Sequence, residues 1–400
     1  MGRRGSCRRR ARRLPSLSRR GALAPSGAER GVRAVNFGPI GRRVEALRRL
    51  MTERGCFSFV LPVIERANWE SLYYLSGFRG TSGAAVVTST ETFLVTDGRY
   101  LAQARRQSPF EVLEQRGGRL SEALAALLRR LSPRNVGLEW DRVTHGTYLS
   151  FESLGYPLVD VSSLLPRLRR RKDETEIPLI RGAAERAALA FRRTLAKAGE
   201  GMTEREFAAL LEFEIRSAGA EGGWGTSDFI VASGSRSALP HGRPTDRVFL
   251  RGDWVTVDFG ARYGDYLSDI TRNFTVGPAD PWLLEIHGLV TCAHDRAAAL
   301  LVPGVPCRDV DRAARSVIEE GGYGEAFPHG LGHGLGLEVH EAPRLSPRFD
   351  DILEVGDVVT VEPGIYVEGR GGVRLEDDYV ITETGAICLT EKLEARLFEV

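Results

Sequence analysis

The sequence predicts an α/β (α+β) chain made of an N-terminal α/β domain followed by a larger C-terminal α/β domain. Strand-like and helix-like segments alternate between residues 42 and 138, a charged stretch near residue 170 interrupts them, and two strand–turn–strand units rich in β-branched residues follow after residue 250. With 400 residues, 42% apolar and 27% charged, the chain has material for sizeable cores, which excludes a wholly disordered or fibrous protein.

Residues 1–33 hold eleven arginines and one acid, Glu29; the remainder carries 44 basic and 52 acidic residues, a net −8. The basic balance therefore belongs to the tail. Its composition is that of a transit peptide or a nucleic-acid-binding arm, but it has no aromatic interleaving, and residues 1–38 are expected to be an unstructured extension. Its charge is screened within about 10 Å at physiological salt, so it should not steer neutral substrates. Ordered structure is expected near Arg42, where Val44, Leu47, Leu50 and Met51 recur at helical spacing. The run Phe57–Ile64 reads as a strand and is far shorter than the roughly 20 residues a bilayer requires. Ala84–Thr88, Thr92–Thr96 and Asn135–Leu138 read as further strands, and Arg119–Leu131 as a helix. This first domain is placed at 39–165.

Six charges in Arg167–Asp173 read as an exposed connector. Glu174–Ala198 has helical period, and Thr203 with Glu206 forms a capping box that opens a helix with an apolar stripe of Phe207, Leu210, Leu211 and Ile215. The second domain is placed at 172–395. The five cysteines are scattered with no CxxC pair, which fits a reducing compartment, and the protein is expected to be cytoplasmic.

In the segment 254–274 a turn centred between Tyr263 and Gly264 would set Asp258 directly opposite Asp269. Opposed carboxylates repel, so a strand pair that carries them implies a cation; alone, such a pair is more often a solvated hairpin end. A second pair, Glu362 and Glu376, lies at the ends of a unit centred on Gly369, with Pro363 interrupting its first strand. Between the two units stand His329, His333 and His340, and His241 precedes them. Four carboxylates with imidazole form a hard, oxygen-rich donor set that suits two Mn²⁺, Co²⁺ or Zn²⁺ ions.

The stretches IVASGSRSALPHGRP, VDFGARYGDYLSDITRNF, HGLGHGLGLEVHE, VEPGIY and GGVRLEDD resemble the pita-bread-fold metallopeptidases of the Xaa-Pro dipeptidase (prolidase) and aminopeptidase P branch. NWESLYYLSGF and TDGRYLAQA resemble that branch's non-catalytic N-terminal domain. The resemblance implies a catalytic domain with a curved, mostly antiparallel sheet. It implies two divalent ions, Mn²⁺ first, on Asp258, Asp269, His333, Glu362 and Glu376, sharing a water that is activated to hydroxide. It implies catalytic parts for His241, His340 and Glu362, and substrate-contacting or supporting parts for Tyr366, Arg374 and His329. Asn273 departs from the pattern, since many relatives carry Thr there. Short proline-containing peptides are the implied substrates and a homodimer the implied assembly, with neither nucleic acid nor membrane as partner. The alternative within the same fold is a metal-dependent hydrolase or lyase acting on a non-peptide small molecule. From another class comes a binding scaffold with a dead peptidase fold, which the intact ligand set disfavours.

Overall fold

A computed structural model describes residues 38–225 and 229–400. The arginine-rich stretch 1–33 lies outside the described residues. Helix α1 (Gly38–Glu53) begins a few residues before Arg42 and buries Val44, Leu47, Leu50 and Met51, the stripe its spacing predicts. Strands β1 (Ser58–Val63), β2 (Gly83–Thr88), β3 (Thr92–Asp97), β4 (Glu111–Gln115), β5 (Val136–Leu138) and β6 (Leu158–Asp160) form one sheet in the order β4-β3-β2-β1-β5-β6. Strand β2 is antiparallel to both neighbours and the other pairs are parallel. Helices α2 (Trp69–Ser76), α3 (Leu101–Gln107), α4 (Leu120–Leu131) and α5 (His145–Glu152) complete the N-terminal domain.

The expected exposed connector is not found. Its residues form the end of helix α6 (Leu164–Arg170), and Arg169 and Lys172 are buried, 4% and 5% exposed. A run of charges reads as solvated because local sequence hides its partners, here the acids Glu338, Glu341 and Asp357, nearly two hundred residues away. Proteases should therefore not find an easy cut at 167–172.

In the C-terminal domain α7 (Ile177–Leu195) and α8 (Glu204–Ser217) back one sheet. The capping box at α8 is present: Thr203 N–H donates to Glu206 Oε2 at 2.8 Å and Glu206 N–H to Thr203 Oγ1 at 3.1 Å. Phe207, Leu211 and Ile215 are buried, and Leu210 is half-buried. The sheet contains β7 (Ile230–Ser233), β8 (Trp254–Phe259) and β11 (Ile270–Thr275), with β9 (Arg262–Tyr263) and β10 (Tyr266–Leu267) forming the tip of the β8–β11 hairpin. Helices α9 (Pro281–Ala298) and α10 (Cys307–Glu320) back a second sheet with β12 (Gly332–Gly334), β13 (Glu341–Leu345), β14 (Val358–Val361), β17 (Asp377–Thr382) and β18 (Gly385–Cys388), all antiparallel. The pair β15 (Gly364–Val367) and β16 (Gly371–Arg374) extends β14 and β17, and the final strand β19 (Phe398–Glu399) runs parallel to β11. A bridge between Thr271 and Glu376 joins the two sheets. No helix among the described residues is long and apolar enough to cross a membrane.

The first hairpin differs from its expected register. Asp258 lies opposite Thr271, and Tyr263 opposite Tyr266, so the turn is centred between Gly264 and Asp265. Both have positive φ, 56° and 70°, as a two-residue type I′ turn requires, and Gly and Asp are residues that accept it. A slip of two residues preserves the side-chain alternation, so Asp258 and Asp269 still share a face, as diagonal neighbours. The second unit keeps one register throughout: Val358 opposite Val380, Val361 opposite Asp377, Gly364 opposite Arg374 and Val367 opposite Gly371. Glu362 and Glu376 fall in the interruption at Pro363, where the ladder opens.

Candidate metal centre

Each candidate residue sits where a strand ends or breaks. Asp258 is on β8, Asp269 immediately precedes β11, His333 is the middle residue of β12, Glu362 follows β14 and Glu376 precedes β17. His333 is flanked by glycines because β12 is squeezed between two backbones. A Cβ at Gly332 would fall 2.1 Å from the Thr360 carbonyl oxygen, and one at Gly334 2.1 Å from that of Ala342.

One donor atom each from Asp269, His333 and Glu376 lie within 4.8 Å of one another. His333 Nε2 is 3.3 Å from Glu362 Oε1 and 3.7 Å from Asp269 Oδ2. Its Nδ1 donates to the Gly334 carbonyl at 3.0 Å, which leaves the Nε2 lone pair facing the carboxylates, the tautomer a metal ligand needs. Asp258 is held from the other side: Arg374 Nη2 donates to its Oδ2 at 2.6 Å, while its Oδ1 is buried with no donor among the described residues. Asp269 Oδ1 is orphaned in the same way.

Arg374 organises the cluster. Its Nε donates to Thr271 Oγ1 at 3.0 Å, and that hydroxyl donates to Glu376 Oε2 at 2.7 Å. Its Nη1 donates to Tyr366 Oη at 2.9 Å. His329 Nδ1 donates to its neighbour's carbonyl, so Tyr366 Oη donates to His329 Nε2 at 3.0 Å, and the imidazole is neutral, its pKa pushed down to about 4 by burial and by Arg374. Asn273, the departure noted above, lies beneath the same strand. Its amide nitrogen donates to the Arg374 carbonyl at 2.7 Å and its amide oxygen accepts from Trp254 and Thr256.

Burial raises the Asp269 and Glu376 carboxyls well above their ordinary range, and each is raised further by the acids around it. Burial likewise lifts Glu362 to about 8, with Arg374 opposing and Asp258 reinforcing. His333 is lowered to about 3, chiefly by burial, and so is neutral. Four acids around one guanidinium leave surplus negative charge, and two carboxylate oxygens lack any donor. A buried cluster of this composition is completed by cations, and the donors present fit divalent ions.

A pH dependence follows. A carboxyl whose folded pKa exceeds its ordinary value of 4.5 keeps its proton in the folded, metal-free chain, so stability is highest below that value and falls as pH rises toward 8. Metal binding must displace those protons. The melting temperature of the metal-free protein should fall between pH 5 and 8, Mn²⁺ should raise it more at pH 8 than at pH 6, and calorimetry in buffers of different ionisation enthalpy should register proton release. A melting temperature indifferent to both would contradict the assignment.

The cluster lies at the floor of a cavity of about 690 Å³. His241, His329, His340 and Arg374 line it with the five acid and imidazole candidates, whereas Tyr366 stands behind, reaching it through Arg374 and His329. The His340 ring packs edge-on against His333 at 4.4 Å between centroids. Sequence reasoning missed several groups. Thr360 Oγ1 links the His333 amide to Glu362, Thr271 links Arg374 to Glu376, and Asp378 accepts the Asp269 amide at 3.0 Å. Three consecutive acids at 376–378 in an otherwise apolar strand were the available signal for Asp378; the threonines carry none. Trp224, Ile230, Val339 and Phe349 form the apolar wall of the cavity and come from separate loops and strands.

Comparison with known proteins agrees with this arrangement. The profile of metallopeptidase family M24 matches residues 178–383, and that of the creatinase/prolidase N-terminal domain matches 43–171. An uncharacterized peptidase, YqhT of Bacillus subtilis, is 41% identical over 87% of this chain and 97% of its own. Among solved structures, an Xaa-Pro dipeptidase from Bacillus anthracis superposes with a TM-score of 0.86 at 38% identity, covering 90% of this chain and all of its own. An X-Pro aminopeptidase from Thermotoga maritima gives 0.83 at 41% identity over 88% of this chain and all of its own. With matches of that extent to both halves, the chain belongs to metallopeptidase family M24, a pita-bread enzyme carrying a creatinase/prolidase-type N-terminal domain.

Proposed function

We propose that this metallopeptidase hydrolyses the peptide bond preceding proline, as an Xaa-Pro dipeptidase or Xaa-Pro aminopeptidase. The observation that carries the reading is the buried convergence of Asp258, Asp269, His333, Glu362 and Glu376 beneath a cavity large enough for a short peptide. These five would hold two divalent ions, Mn²⁺ before Co²⁺ or Zn²⁺. When bound, such ions supply a water acidified to near-neutral pKa and Lewis-acid polarisation of the scissile carbonyl. Arg374 keeps Asp258 and, through Thr271, Glu376 in place. Glu362, which lines the cavity beside His333, can take a proton from the attacking water and return it to the departing nitrogen. His241 and His340, on the cavity wall, are placed to contact the substrate carbonyl and the leaving group.

The bond before proline has no N–H, so an enzyme cannot grip it through that donor and must recognise the ring by shape. The apolar wall of Trp224, Ile230, Val339 and Phe349 suits that task. The reading includes a division of labour between an N-terminal domain at 39–165 and a catalytic domain at 172–395. It also includes a homodimeric, cytoplasmic enzyme whose partners are short proline peptides rather than nucleic acid or membrane. Dipeptides and longer peptides, with and without proline at the second position, should be assayed with the Mn²⁺-loaded protein. Turnover confined to Xaa-Pro substrates is expected, and the length series then separates dipeptidase from aminopeptidase. Full metal occupancy with no turnover of any proline peptide would overturn the proposal.

A further inference from the structure

His340 is exposed in the cavity, and no hydrogen bond to a described residue holds its ring. Its place is set by the backbone of the loop 335–340, which has no regular structure and leads into β13 at Glu341. That loop is closed by one carboxylate. Glu341 Oε1 accepts the amides of Leu337 at 3.0 Å and Glu338 at 3.1 Å, drawing the segment into a ring just behind His340. The carboxylate is itself fixed by cations distant in sequence, from the end of α6 and the residues just after it. Arg169 pairs with Glu341 Oε1, and Lys172 Nζ donates to Oε2 at 3.0 Å. Arg169 also lies 2.9 Å from Glu338, which receives two further bonds from Arg142 at 2.9 and 3.3 Å. All three cations belong to the first 172 residues, and the two acids bracket His340.

A second observation shows that the approach is built for closeness. A Cβ on Gly336 would lie 2.8 Å from Glu341 Oε2 and 2.9 Å from Lys172 Cε, so the lysine reaches its partner through a gap that only glycine leaves open. The lysine side chain is 1% exposed and that of Glu341 6%. A pair so enclosed is screened little by salt and holds its geometry firmly. Nothing in this pair touches the cavity; its whole effect on the chemistry must pass through the loop.

We infer that Lys172 and Arg169 are positioning residues for His340: they lock Glu341, Glu341 closes the loop, and the closed loop presents the imidazole beside His333. The inference rests on the proposed contact of His340 with substrate. It also makes the N-terminal domain and the segment leaving it part of the active-site support, so that loosening their contact misplaces a catalytic group without touching the metal ligands. Misplacement of a reacting group by about 1 Å lowers turnover by roughly a hundredfold.

The test is a double-mutant cycle on the Mn²⁺-loaded enzyme, combining Lys172→Met with His340→Ala, with metal content measured for every variant. Lys172→Met should keep its full metal content, lower kcat on an Xaa-Pro peptide by roughly ten- to a hundredfold, and add nothing in the His340→Ala background. Gly336→Ala, which removes no charge and displaces the pair by tenths of an ångström, should do the same more weakly and guards against a misfolded lysine variant. A drop of equal size in both backgrounds would mean a merely structural role and would overturn the inference. If no proline peptide is turned over, the imidazole NMR signal of His340, assigned by its loss in His340→Ala, still decides. It should shift or broaden in both Lys172→Met and Gly336→Ala, and an unchanged signal overturns the positioning role independently of the substrate reading.

Discussion

Asp269→Asn is expected to lose bound metal and turnover together, while its metal-free form melts no lower than the metal-free parent. Asp269 is surrounded by acids and is pushed to hold a proton in the absence of a cation, burial first and then Glu376 and Asp258. Asparagine is neutral as the protonated acid is, so it costs the empty site little, but it removes a carboxylate donor from the filled one. The loss of a ligand to a catalytic ion forfeits several kcal/mol of transition-state stabilisation, about a thousandfold or more in rate. The two readouts must move apart: metal and activity fall, metal-free stability does not. A variant that keeps two metal equivalents and normal turnover would exclude Asp269 as a ligand. One that unfolds would show the residue to be structural.

Arg272→Met should produce the largest loss of stability. Arg272, on β11 opposite Val257, is fully buried, and every donor of its guanidinium is used. Nε reaches the Glu394 carbonyl at 3.1 Å, Nη1 the carbonyls of Thr271 and Glu376 at 3.0 and 2.6 Å, and Nη2 Asp377 and the Leu393 carbonyl, both at 2.6 Å. The side chain ties both sheets of the catalytic domain to the C-terminal segment. Methionine fills similar volume but leaves Asp377 buried against only His294 and Thr390. Breaking such a pair from one side costs about 3–5 kcal/mol. At roughly 2 °C per kcal/mol for a chain of this size, the melting temperature should fall by roughly 8 °C. Removing both charges in Arg272→Met with Asp377→Leu should restore part of that loss. A single variant within about 1 kcal/mol of the parent would contradict the argument.

The same pair sets an acid limit. Burial alone would raise Asp377, but Arg272 and His294 hold it down at about 2. A carboxyl depressed on folding contributes its stability above its ordinary range near 3.9 and loses it as pH falls through its folded value. The gap between parent and Arg272→Met should accordingly narrow between pH 4 and 2.

What could be read in advance divides by the range of the signal. The stripe of α1, the capping box of Thr203 and Glu206, and the register of the unit around Gly369 are local patterns, and the structure has them. The five candidate ligands were legible as acids and an imidazole clustered between residues 258 and 376, and the others through the resemblance; the structure gathers the five in one cavity with His241, His329, His340 and Arg374, and leaves Tyr366 behind it. The first hairpin was misread by two residues because the turn was centred on tyrosine and glycine. The pair with positive φ is Gly264 and Asp265, and the turn chemistry outranks the pairing of the acids. Residues 167–173 were misread for a different reason. Nothing near Arg169 or Lys172 in sequence announces that Glu338 and Glu341 will bury them. Thr271 and Thr360 were invisible because a threonine in a strand is ordinary until its hydroxyl is seen between two charged groups.

The central claim is that the carboxylate and imidazole cluster works as a divalent-metal centre for cleavage before proline. Its most direct measurement is a titration of Mn²⁺ into chelator-stripped protein while hydrolysis of an Xaa-Pro peptide is followed. Turnover should rise from nothing and saturate at two equivalents per chain. Full turnover in the stripped protein, or saturation with metal and no hydrolysis, would contradict it.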